Sequence, residues 1–444
     1  MSFLPQLIFL IILIATGFIL IRRVKFLRRN ILLGKPEARN DQPGKRWKTM
    51  LLVAFGQQKM FKRFIPAILH LFVYVGFLVI NLEVLEFAID GIVGTHRIFA
   101  PFLGSAYTVA MNIFEFLAVA VLVSCVIFLI RRNITKVPRL IKPDLKGWPA
   151  MDANIILVIE IVLMIAILKM NASDQVLASR GVGHYIPVGG LFFSGLLKPL
   201  FEGFSSEFLI VVERAAWWFH IIGILAFAIY VTYSKHLHIF LAFPNTWYTR
   251  LKPKGEMSTM PAVTNEVNMM LGIPSEAPAD APAEIARFGA KDINDLSWIN
   301  ILNAFSCTEC GRCSAECPAN ITGKKLSPRK IMMDVRDRAE EVGKSLDAGG
   351  KGLEDGKSLL GDYITKEELN ACTSCNACVE ACPVNIDPLA IILEMRRYVA
   401  MEESGTPAQW NAMFQNMETS FSPWKFSPQD RFNWAEKVKE EDIK

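Results

Sequence analysis

The stretches CTECGRCSAECP, Cys307 to Pro318, and CTSCNACVEACP, Cys372 to Pro383, carry eight of the nine cysteines in this 444-residue chain. Both follow C-x2-C-x2-C-x3-C-P, a rhythm that wraps thiolates around an iron-sulfur cube. Three thiolates on one tight loop reach three corners, and the fourth, opening a new segment, points at the neighbouring cube. The spacing predicts two [4Fe-4S] clusters, one on Cys307, Cys310, Cys313 and Cys382, the other on Cys372, Cys375, Cys378 and Cys317. Two structural zinc sites would also use eight thiolates, yet zinc explains neither the rhythm nor the trailing prolines. Cys125, far from both stretches, reads as a small buried apolar residue.

Around these knots the pattern is helical. Leu296, Ile299 and Leu302 recur at helical spacing, Ser327-Pro328 opens a helix, Thr365 with Glu368 forms a capping box, and Asp387-Pro388 starts a helix carrying Ile391, Ile392 and Met395. Residues 291–400 are therefore expected to form an α-helical ferredoxin domain. Before it lies a linker, 246–290, whose SEAPADAPAEIA (Ser275–Ala286) is a Pro/Ala-rich tether. After it, residues 401–444 are aromatic and polar without period (PAQWNAMFQNMETSFSPWKFSPQDRFNWAEK, Pro407–Lys437), as in a segment laid across a partner or packed on its own domain. GGKGLEDGKSLL has Lys351 where a phosphate loop needs glycine, and no G-x-G-x-x-G occurs, so nucleotide binding by this chain is not expected.

With 52% apolar residues, the chain points to a membrane part. Five windows of spanning length precede residue 240: Phe3–Ile21, Phe64–Leu82, Ala106–Ile130, Ala153–Leu168 and Phe208–Tyr233. The connection Arg22–Arg63 holds 13 Lys and Arg and Arg131–Met151 holds six, whereas Glu83–Ser105 holds only Arg97, and Met170–Ser206 only Arg180 and Lys198. The positive-inside rule then sets residues 1–245 as a five-span domain with its N-terminus outside, and the ferredoxin domain in the cytoplasm. The net charge of +5 belongs to those loops and does not suggest nucleic acid. In a reducing compartment clustered thiols mean metal more often than disulfides.

Histidines at membrane depth are costly and need partners. His220 and His238 are 18 residues apart, five turns of one helix, with His236 off that stripe. His70 lies roughly 10 Å above the inner boundary, a depth that matches His238. Two imidazoles facing across helices make a site for a b-type haem. His220 suggests a second, outer haem, with His96 or His184 as alternative partners, since Ile80 stands where the second span would offer one. Glu115 and Glu160, inside the third and fourth spans, read either as proton handlers beside a quinone or as protonated carboxyls bonded to neighbouring helices.

His70, His220 and SKHLH ending at His238 resemble the cytochrome b subunit of respiratory nitrate reductases and the membrane subunit of heterodisulfide reductases. CTECGRC, CTSCNACVEACP and the tail around Pro423-Trp424 resemble the iron-sulfur part of heterodisulfide-reductase-like proteins. The resemblance implies an all-α protein, a cytochrome b bundle fused to a two-cluster ferredoxin domain. It also implies an electron-transfer subunit of the inner membrane working between the quinone pool, haem b, the clusters and a cytoplasmic redox partner. Relatives of this kind usually continue into CCG repeats, which are not in this sequence, so a separate CCG-type or flavin subunit is expected to carry the substrate chemistry. Rival expectations are a subunit of a redox-driven proton or ion pump and a structural anchor for a redox complex.

Overall fold

The computed structural model describes residues 3–274, 287–350, 352–435 and 438; the expected tether, Ser275–Ala286, and Lys351 lie outside the described residues. Regular structure among the described residues is helical, with two isolated bridges and no strand. Five helices are long and apolar enough to cross a membrane: α1 (Leu4–Ile31), α2 (Phe64–Val93), α3 (Ser105–Asn133), α4 (Trp148–Ser179) and α5 (Ser206–Val231). Most outrun their apolar windows. A backbone near lipid must satisfy its hydrogen bonds within the helix, so α1 continues through Arg22, Arg23, Arg28 and Arg29 instead of stopping where the apolar run does.

The five helices close a ring in which each packs on its sequence neighbours and α1 meets α5. Phe9, Leu117, Val121, Leu163, Ile167, Trp217 and Ile221 fill its centre. Ile14, Phe18, Leu82, Val109, Phe116 and Val211 stay exposed on the outside, as side chains against lipid would. Helices α2 and α5 do not pack extensively on each other. They approach at one end through Phe87 and His220 and, past the end of α5, through His70 and His238.

The other half is built around further helices, among them α6 (His238–Trp247), α7 (Trp298–Phe305), α8 (Arg312–Glu316), α9 (Pro328–Asp347), α10 (Ala377–Ala381) and α11 (Pro388–Met401). Three helix starts in this half are those written in the sequence. Ser327 and Asp387 accept from the backbone N–H groups of Lys330 and Ala390, and Thr365 and Glu368 cap each other reciprocally. One core joins Ile293, Leu296, Ile301, Phe305, Ile331, Val335, Ile391 and Met395, and it includes Leu27 and Ile31 of α1 and Leu237. Burying a Leu or Ile side chain is worth about 1.5–3 kcal/mol, so these three apolar contacts seat the ferredoxin half directly on the bundle.

Polar contacts extend that seat. Arg23 reaches Glu340 at 2.9 Å, Arg329 reaches Asp144 at 2.6 Å, and Arg63 reaches Glu316 at 2.8 Å. Backbone bonds tie Lys35 to Leu296 and Trp298. Beside them, a Cβ on Gly34 would lie 2.7 Å from backbone atoms of Leu296, Ser297 and Trp298, which cannot yield as a side chain can. Within the ferredoxin half, Arg338 is fully buried and bonds Asp292 at 2.8 Å and Asp355 at 3.0 Å. Arg338→Met would strand Asp292 without its cation, and a loss of about 3–5 kcal/mol in denaturant unfolding of the purified protein is expected.

Candidate redox site

The two cysteine loops share one backbone design. Glu309 and Ser374, two residues after the first cysteine of each, both have φ of 55°, and Gly311 and Asn376, two further on, have 70° and 60°. The turn aims N–H groups inward: Glu309 donates to Cys307 Sγ at 3.4 Å, Ser374 to Cys372 Sγ at 3.4 Å, and Ile386 to Cys382 Sγ at 3.3 Å. Helices α8 and α10 then carry Cys313 and Cys378 and pack on each other.

The structure brings the cysteines together in two sets of four. Cys307, Cys310, Cys313 and Cys382 lie within electrostatic reach of one another and line one small cavity with Gly311, Arg312 and Ile386. Cys372, Cys375, Cys378 and Cys317 form the second set. Cys313 and Cys378 sense each other between them. Among the described residues, no three Cys, His, Asp or Glu side chains close on the position of a single ion. The first set frames a cavity instead, as four ligands around a cube must. Burial pushes the Cys307 thiol up to about 12 and the Cys382 thiol up to about 11. Thiolates buried as Cys307 and Cys382 are need cations beside them, which a cluster's iron would supply.

Each set has two buried cysteines, and the second also has an exposed one. Cys307, Cys317, Cys378 and Cys382 are buried, while Cys375 is exposed. Glu309, between two ligands of the first set, is bonded to Lys235 and, at 2.8 Å, to Arg336. Burial works to raise its carboxyl, but those two cations hold it below the usual range. Arg312, from the same loop, lies within electrostatic reach of Cys310, Cys382 and His70.

The histidines are placed differently from the sequence argument. Helix α5 ends at Val231, a short 3-10 turn spans Lys235–Leu237, and His238 opens α6. His220 and His238 therefore do not share one helix, and the five-turn register does not apply. The break itself delivers the ring. His238 Nδ1 donates to the Lys235 carbonyl at 3.2 Å, leaving Nε2 free, and its ring centre is 6.4 Å from that of His70. Two metal–nitrogen bonds of about 2 Å, with roughly 1 Å from each nitrogen to its ring centre, require about that separation. His70 Nδ1 is buried without a hydrogen-bond partner among the described residues. Burial drops His238 to about 4, which keeps it neutral, the ligating form of imidazole. His236, off the stripe in sequence, sits beside His238 with ring centres 5.3 Å apart and also packs on Phe227.

His220 is buried against Phe87, with Nδ1 3.0 Å from the Leu163 carbonyl. His96 and His184 pack on each other and on Tyr185, and His96 bonds Asp174 and Arg214. Neither is brought to His220 by any ring contact. Glu115 accepts from the Phe193 and Ser194 N–H groups at 3.1 Å, from Ser194 Oγ and from Asn171. Glu160 lies apart, in α4 near Cys125, so the two carboxyls share no site.

Sequence reasoning missed the charged cluster at the end of the bundle away from the ferredoxin half. Glu83, Glu86 and Asp90 are buried on α2, Tyr107 bonds Glu86 at 2.6 Å, and Arg97 bonds Asp174 and Asn171. Carboxyls at i, i+3 and i+7 were the available signal, hidden by ending the span at Leu82. The helix Ala408–Ser420 in the tail exposes Trp410, Met413, Phe414 and Met417 on one face.

Residues 306–386 match the family model described as a 4Fe-4S dicluster domain. The chain is similar to a probable iron-sulfur-binding oxidoreductase FadF of Bacillus subtilis, at 26% identity over 98% of this chain and 61% of that protein. It is similar to an EtfAB:quinone oxidoreductase of Syntrophomonas wolfei, at 27% identity over 91% of this chain and 56% of that one. A probable membrane-anchored ferredoxin of Chromohalobacter salexigens is 33% identical over 35% of this chain and 25% of its own length. The chain spans less than two thirds of the first two relatives. No solved structure matches it. The chain thus joins a bundle of five apolar helices to a 4Fe-4S dicluster domain, and its relatives are iron-sulfur oxidoreductases.

Proposed function

We propose that the chain is a membrane-bound electron-transfer subunit linking the quinone pool to a redox partner in the cytoplasm. It would hold a b-type haem between His70 and His238 and two [4Fe-4S] clusters on the cysteine sets described above. The observation that carries this reading is the neighbourhood of these groups: the His70–His238 pair, Arg312 within electrostatic reach of His70 and of Cys310 and Cys382, and Cys313 within reach of Cys378 in the second set, which includes exposed Cys375. When bound, haem and cubanes supply groups that take up and release single electrons with little change of geometry. The residues do the rest. The Lys235 carbonyl fixes the tautomer and orientation of His238, the backbone N–H groups of Glu309, Ser374 and Ile386 donate to ligand sulfurs, and the apolar core around Phe305 and Ile391 excludes water.

Support for the quinone comes from the Syntrophomonas wolfei relative, an EtfAB:quinone oxidoreductase, and support for a partner subunit from relatives that are subunits of heterodisulfide reductases. The test is anaerobic mixing of purified holoprotein with a quinol analogue. Reduction of the haem band followed by the cluster signals is expected; a haem that quinol cannot reduce, nor quinone reoxidise, would refute the quinone link. The exposed Trp410, Met413, Phe414 and Met417 stripe is the proposed partner-docking surface within 401–444. The double substitution Phe414→Asp and Met417→Asp is expected to weaken capture of the redox partner at least tenfold, about 1.4 kcal/mol, with cofactor content unchanged. Co-purification of the native complex measures it.

A second reading, proton handling, is favoured by one observation, the hydrogen-bonded chain from Glu86 through Tyr107, Arg97 and Asp174 to His96, with Glu115 joined through Asn171. Glu115→Gln discriminates: electron transfer that persists while proton uptake is lost would support it.

A further inference from the structure

Arg139 lies in the loop between α3 and α4, among the basic residues that sequence reading used only for orientation. Its surroundings ask for more. Its Nε and Nη1 are buried and have no hydrogen-bond partner among the described residues. An unpaired buried guanidinium donor loses its hydration without replacement, so the arrangement makes sense only with an acceptor in place. Its backbone is fixed: the Arg139 carbonyl accepts from Arg329 Nη1 at 2.7 Å, and Arg329 is anchored on Asp144. The cluster loop presses against it. A Cβ on Gly311, whose φ is +70°, would lie 2.9 Å from the Arg139 carbonyl oxygen. Cys310, the adjacent ligand, lies within electrostatic reach of the guanidinium.

We propose that Arg139 reaches from the membrane bundle's loop to the cluster held by Cys307, Cys310, Cys313 and Cys382, donates its free N–H groups to sulfur there, and so raises that cluster's reduction potential relative to the other. The inference rests on the cluster assignment above. The physics is simple. One-electron reduction adds a negative charge to an assembly that four thiolates already make anionic, and a nearby cation with N–H donors stabilises the reduced form more than the oxidised one. Hydrogen bonds to sulfur and local charge are among the levers that set such potentials. The cysteine within electrostatic reach of the guanidinium, Cys310, belongs to the first set, so the effect falls on that cluster. Arg139 is a tuning residue, its backbone in the bundle's loop held against Arg329 of the ferredoxin half and its side chain directed at the cluster.

The experiment is a redox titration of full-length holoprotein, followed by electron paramagnetic resonance, in Arg139→Met and Arg139→Lys variants. One of the two cluster potentials is expected to fall in Arg139→Met while the other stays, and Arg139→Lys, which keeps the charge, is expected to recover part of the shift. Loss of one cluster in the Met variant with retention in the Lys variant would support the same assignment. Unchanged potentials, equal shifts of both, or loss of both clusters in both variants would overturn it. Wild-type protein without any cubane signal would instead sink the cluster assignment, leaving the two failures distinguishable.

Discussion

Cys317→Ser is expected to remove the cluster whose other ligands are Cys372, Cys375 and Cys378, and to spare the one held by the loop in which Cys317 itself sits. The reason is the prolyl turn after each motif. Cys317 follows α8 with φ −77° and ψ 119°, an extended residue that leaves the helix and turns its sulfur from its own loop. It lies within electrostatic reach of Cys372 and Cys378. Iron per chain should fall from about eight to about four, and the surviving resonance should be that of the first set. Cys382→Ser should produce the reciprocal loss, because Cys382 has the same extended backbone after α10 and belongs with Cys307, Cys310 and Cys313. Iron and acid-labile sulfide analysis of both variants measures this. Loss of the cluster on the variant's own loop would refute the crossed assignment.

His238→Ala is expected to empty the haem site, and His70→Ala to do the same, each cutting haem per chain by about tenfold or more, since even outer-shell changes at metal sites cost roughly tenfold or more in affinity. The two imidazoles come from different helices, so neither variant leaves a second ligand on the same segment. His236→Ala is the internal control. Its ring packs on His238 and Phe227, which gives it a packing role, and haem content should stay near that of the native chain. His220→Ala separates the remaining alternative: a fall from two haems to one would establish an outer site. Pyridine haemochrome spectra give the counts.

What the sequence made legible was whatever is local. The cysteine rhythm repeats within a dozen residues, and the caps at Ser327, Thr365 and Asp387 act over three, so both could be read directly. Long apolar windows located all five spanning helices, though not their ends, because helices run on past their apolar stretch into residues such as Arg23 and Asp90. The break after Val231 carries no proline or glycine, only Thr232, Tyr233 and Ser234, and so gave no signal against a continuous helix. Contacts between distant segments were beyond reach altogether. Lys235 with Glu309, Leu27 in the ferredoxin core, and Arg139 against the Gly311 loop depend on how the two halves dock, and nothing in their spacing records it.

The central claim is that eight thiols and two imidazoles of one chain hold a continuous set of redox groups from lipid to water. Iron, acid-labile sulfide and haem measured together on the purified full-length protein test it most directly. About eight irons, about eight sulfides and at least one haem per chain are expected. Zinc in place of iron, absence of labile sulfide, or a Soret band that survives replacement of both His70 and His238 would contradict it.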